Sequence, residues 1–179
     1  MKKIQNFDFD CFDLIEDAQN AYSFQPALTE KLDNHQREFD EKTILEIVLW
    51  KTNRYPTIPE GLIDAINDLR NNYHIEKAKV VLRQLLSSKG FDLPMASTVL
   101  RFACPDELQI LDQRVYRFIM PEHDRLKAPY NIDEKVEFYF DYVDNLKLVC
   151  DKYQIPFSKS DRILYQLDKN LNADIPIKY

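Results

Sequence analysis

One aspartate stands apart by its setting: Asp112 follows two apolar residues in ILDQRVYRFI, residues 110–119, and opens an amphipathic run. A carboxylate in that position caps the N–H groups of a helix, worth about 1 kcal/mol, or stabilises positive charge that develops beside it in a reaction. One residue can serve both ends. Upstream, Gly90 is one of only two glycines and sits where the amphipathic run 75–88 stops. A turn built on glycine can present its backbone N–H groups to an anion. Metal chemistry has no comparable starting point. Cys11, Cys104 and Cys150 are far apart and form no CxxC pair, and His35, His74 and His123 are equally scattered, so no metal site or disulfide framework is expected. No cofactor is expected either.

These residues need helices to position them, and the apolar periodicity supplies helices. Leu62, Ile63, Ala65, Ile66 and Leu69 recur at helical spacing. So do Ile75, Ala78, Val81, Leu82, Leu85 and Leu86, and again Val136, Tyr139, Val143 and Leu146. KTILEIVLWK, residues 42–51, is apolar on nearly all sides, the pattern of a helix at the centre of a bundle. Strand alternation is absent. Prolines such as Pro56, Pro59, Pro94, Pro105, Pro129 and Pro156 fall where one run ends or the next begins. The expectation is an all-α bundle of about eight or nine helices. It forms a single domain over residues 1–179 with its core at residues 40–150 and terminal helices packed on it. Gly90 at the C′ position of one helix and Pro94 in the first turn of the next predict a tight helical hairpin.

Composition limits the partners. With 45% hydrophobic residues the 179-residue chain can bury one substantial core. No stretch approaches the roughly 18 consecutive apolar residues of a membrane span, and MKKIQNFDFD turns acidic before a signal-peptide core develops, so a cytoplasmic protein is expected. The net charge of −6 argues against nonspecific coating of nucleic acid. Residues 74–127, however, carry nine Lys and Arg against seven acids, whereas the remainder carries fifteen against twenty-three. A mildly basic middle on an acidic body is compatible with local DNA binding.

SKGFDLPMA followed by ILDQRV resembles the helix-hairpin-helix DNA glycosylase superfamily, whose signature runs approximately L-P-G-V-G-x-K-T-A, then an apolar helix, then V-D-T-H-V. In register, Gly90 falls on the first glycine, Ala96 on the alanine and Asp112 on the catalytic aspartate; Pro94 and Asp112 lie 18 residues apart. With its W-K-T-x-R segment upstream, the stretch looks most like uncharacterised bacterial relatives of these enzymes. The resemblance implies that Asp112 is catalytic, stabilising the oxocarbenium-like state formed when an N-glycosidic bond breaks. It implies DNA contacts from Lys89, Gly90, Phe91, Lys51, Arg54 and Arg114, and a base pocket that includes Trp50, Tyr55 and Tyr116.

The departures are equally specific. Pro94 replaces the lysine nucleophile of the bifunctional enzymes, leaving only hydrolytic, monofunctional chemistry. Asp92 replaces the second glycine and would repel a phosphate unless its charge is paired. The iron–sulfur cysteines are missing, and Arg114 stands where a histidine is usual. Two functions remain open: a monofunctional base-excision activity, or a catalytically inactive module that binds DNA or protein. Trp50 and Arg54 lie four residues apart and suit either a stacked surface pair or a base pocket. The run 158–179, with Ile163, Leu167 and Leu171 as its stripe, reads as a helix closing the core or docking a partner chain. The Phe-rich acidic segment DFDCFDLIED, residues 8–17, reads as an ordinary capping element or a partner-binding helix.

Overall fold

The computed structural model describes residues 24–53, 55–120 and 125–177. Among these the secondary structure is helical throughout: α1 (Pro26–Asp33), α2 (Glu41–Lys51), α3 (Leu62–Asn71), α4 (Ile75–Leu86), α5 (Leu93–Ala103), α6 (Gln113–Ile119), α7 (Ile132–Tyr153) and α8 (Ser160–Leu171), with a 3₁₀ turn at Phe157–Lys159. No described helix is long and apolar enough to cross a membrane. The chain divides into two compact units, Met1–Tyr55 and Pro56–Tyr179. The segment DFDCFDLIED lies outside the described residues.

In the first unit, Asp40 caps α2 by accepting from the Thr43 N–H at 2.7 Å. This helix was expected at the centre of a bundle. Instead its buried residues are Thr43 and Glu46, and Ile44, Leu45 and Val48 are each about half exposed. Glu46 turns toward α1, where Lys31 holds it at 2.6 Å. A helix that is apolar on every side has no periodic preference to set which face turns inward, and here polar contacts set it.

The second unit is organised around α7. Asn131 caps it by accepting from the N–H groups of Asp133 and Glu134, and these two acids favour the positive end of the helix dipole. Val136, Tyr139, Val143 and Leu146, the predicted stripe, are all buried. At about 1.5–3 kcal/mol for each large apolar side chain removed from water, that stripe is a main source of the unit's cohesion. Against it packs α4, and Ala78, Val81, Leu82 and Leu85 of that helix share one buried cluster with Ala96 and Leu100 of α5. Leu62 and Leu69 of α3 are buried as expected, whereas Ile63 and Ile75 face solvent.

The α4–α5 link differs in detail from the expected one. Helix α4 ends at Leu86 with Ser87 as its cap, three residues before Gly90. The glycine instead occupies the third position of a four-residue turn closed by the Phe91 N–H donating to the Ser88 carbonyl at 3.3 Å. In a type II turn that position takes positive φ, and Gly90 has φ of +95°. A Cβ there would lie 2.7 Å from Pro56 Cα. The neighbouring backbone is tied down by the Thr57 N–H donating to the Lys89 carbonyl at 2.9 Å. Pro94 sits in the first turn of α5 as predicted.

Candidate functional site

Asp112 is delivered by a buried loop rather than by a mobile one. Leu108, Gln109 and Leu111 are fully buried, and buried loop backbone must find hydrogen-bond partners. Three side chains supply them. Tyr139 donates its hydroxyl to the Gln109 carbonyl at 2.9 Å, and Tyr142 donates to the Ile110 carbonyl at 2.8 Å. Ser97 on α5 accepts from the Leu111 N–H at 3.0 Å while donating to the Pro94 carbonyl at 2.8 Å. Burial pushes the pKa of both tyrosines well above the phenol range, so they remain donors at every physiological pH.

At the end of this loop Asp112 caps α6. Its Oδ1 accepts from the Arg114 N–H at 2.7 Å and the Val115 N–H at 3.4 Å. Both amides converge on one oxygen, so Oδ2 keeps its acceptor capacity. The residue is half-buried and borders a groove of about 440 Å³ whose other walls are Ile110, Asp161, Arg162, Tyr165 and Gln166. Four of these come from α8. Asp161 is only 7% exposed; its carboxylate lies 3.4 Å from Arg101 Nε on α5. Arg101 also donates to the Ser158 carbonyl at 3.1 Å. Arg162 is exposed. The groove therefore contains two carboxylates, Asp112 and Asp161, an exposed cation, an aromatic ring and an amide.

The remaining predicted residues are distributed differently. Arg114, expected at a phosphate, donates from Nη1 to Asp168 Oδ2 at 3.0 Å and its guanidinium lies 5.6 Å from the Tyr165 ring centroid. Arg117 grips the same carboxylate in a bidentate fork, with 2.9 Å from Nε to Oδ1 and 2.9 Å from Nη2 to Oδ2, and Asn172 adds a further donor. Asp168 is fully buried. Burial raises its pKa, but the hydrogen bonds from Arg117, Asn172 and Arg114 outweigh that and hold it below the ordinary carboxylate range. Tyr116, expected in a base pocket, is 3% exposed. Its ring lies in the core beside Phe138 and Tyr142, not on the groove wall.

Around the first turn, Lys89 and Gly90 are exposed and Phe91 packs on the core. Asp92 caps α5 by accepting from the Met95 N–H at 2.9 Å. The suspected repulsive acid thus occupies the positive end of a helix, where an external anion would otherwise sit. In the first unit, Trp50 donates its indole N–H to Thr29 Oγ1 at 2.8 Å and meets Phe24 edge-on. Lys51 is exposed and Tyr55 half-buried. Arg54 lies outside the described residues.

Sequence reasoning missed Arg101, Asp161, Arg162, Tyr165 and Asp168. The available signal was the spacing of Asp161, Leu164 and Asp168, which puts two acids and a leucine on one helical face. That face is the buried one. The expected stripe fails because Leu167 is 38% and Leu171 69% exposed. No family model, curated protein or solved structure matches this chain.

Proposed function

We propose that this chain is a DNA-binding protein with the chemistry of a monofunctional base-excision glycosylase, hydrolysing an N-glycosidic bond with Asp112 as the stabilising carboxylate. The observation that carries the reading is the placement of that residue: one oxygen is pinned by two amides, beside a groove with room for a ligand. Breaking the bond builds positive charge on the sugar, and a preorganised carboxylate stabilises it without reorganising. With Pro94 at the lysine position, water rather than a Schiff base completes the reaction. The base would leave the stack and enter the groove, where Tyr165 offers a π-face and Arg162 a charge for the adjacent phosphate.

A second reading, a module without catalysis that binds DNA or protein, is favoured by the first turn and by Arg114. Asp92 already caps the helix end that would hold a phosphate, and Arg114 is engaged by Asp168. Oligonucleotides carrying uracil, an oxidised base or an alkylated base separate the two readings. Base release by the wild type that disappears in Asp112→Asn supports the enzyme. Salt-sensitive binding without release supports the module, and absence of binding at low salt rejects DNA as the partner.

A further inference from the structure

A second cavity in the second unit shares no lining residue with the Asp112 groove. It measures about 670 Å³ and its apolar walls are Phe118, Ile119, Val149, Ile155, Leu164 and Leu167, with Lys152 and Tyr153 completing it. This volume falls in the range of small-molecule sites. Three helices make it: the close of α6, the close of α7 and the middle of α8. Between α7 and α8 the chain reverses through Gln154, which adopts a left-handed φ of 55°. The Ile155 N–H then donates back to the Cys150 carbonyl at 2.9 Å, and this reversal brings Ile155 onto the cavity wall. A non-glycine residue in that conformation is disfavoured, and the strained position lies at the cavity rim.

The lining also specifies a charge. Lys152 is the one charged residue among the described walls. It makes no ion pair among the described residues, and its Nζ lies 5.1 Å from the Tyr153 ring centroid. One ammonium, with a phenol beside it, matches a monoanionic head, and the remaining surface matches a hydrocarbon tail. We propose that this cavity binds an amphipathic carboxylic acid of medium chain length, its tail against Phe118, Ile155 and Leu164 and its carboxylate paired with Lys152. The proposal does not depend on the role of Asp112.

Isothermal titration of the full chain with hexanoate, octanoate and decanoate, and with decanol, tests it. Each added methylene is expected to tighten binding about fourfold, from about 0.8 kcal/mol per buried CH₂. Decanoate is expected to bind at least fivefold more tightly than decanol, and Lys152→Met, at an exposed site, to erase that preference while the chain-length slope survives. Leu167→Trp, which narrows the cavity from a partly exposed position, is expected to weaken every member of the series. Failure of decanoate to bind, a flat chain-length series, or an acid preference unchanged in Lys152→Met would each overturn the proposal. So would concentration-dependent self-association that Leu167→Glu abolishes, because the cavity would then be an interface between copies.

Discussion

Asp92 and Asp112 hold the same local job and differ in everything around it. Each precedes a helix in extended conformation, at φ −92° and −108° respectively, and each accepts from amides of the first turn. Asp92 is exposed to solvent at the end of a glycine turn. Asp112 is half-buried, preceded by a loop that two tyrosines and a serine hold, and faced by α8 across a groove. A capping acid is thus an ordinary device, and its surroundings decide whether it is also a candidate reagent. The contrast is maintained by α6 being fixed to α8 through Asp168, and by the first turn being fitted to Pro56.

The largest effect is expected from releasing α6. Asp168→Asn removes a fully buried charge that pairs with Arg114 and Arg117, and breaking such a pair costs about 3–5 kcal/mol; chemical denaturation measures it. The same pair predicts a pH dependence. The folded pKa of Asp168 lies below its unfolded value, so its stabilisation is complete above about pH 4. It is lost as pH falls through the folded pKa, and a denaturation series at acid pH should show a shallower decline in Asp168→Asn.

Next comes the carboxylate itself. Asp112→Asn keeps a good capping group, so stability should change by less than about 1 kcal/mol, while base release should fall at least about a hundredfold. A large stability loss with unchanged release would reduce Asp112 to the same role as Asp92. Gly90→Ala should destabilise by about 2–4 kcal/mol, combining a left-handed alanine with the clash at Pro56. Gly61→Ala, at φ +78° with nothing within 4 Å of the added Cβ, should cost only about 1 kcal/mol; thermal melts distinguish them. The smallest effect is at Asp92: with its charge removed, Asp92→Asn should tighten DNA binding about two- to fivefold at low salt, measured by fluorescence anisotropy, without affecting release.

The helical class and the α7 stripe were legible because apolar residues there recur against charged ones, and burial follows that period. Asp112 and Gly90 were legible because few residue types fit a cap or a left-handed turn. The buried charges were not. Arg101, Asp161 and Asp168 carry no hydropathy signal for the interior, and their partners are far away in sequence, as in the pair from Arg117 to Asp168. Such acids go inside only where a guanidinium meets them, which periodicity cannot show. Helix α2 failed for the opposite reason, since nearly every face was apolar and none was preferred. The turn at Gly90 was placed correctly in kind but lies three residues beyond the cap of the helix that was expected to need it.

The hydroxyl of Ser97 receives the amide just before Asp112 and gives its proton to the opening turn of α5. One oxygen atom therefore links the start of α5 to the loop that carries Asp112. Losing that hydroxyl, as in Ser97→Ala, would leave the buried Leu111 N–H without its partner on the approach to the groove.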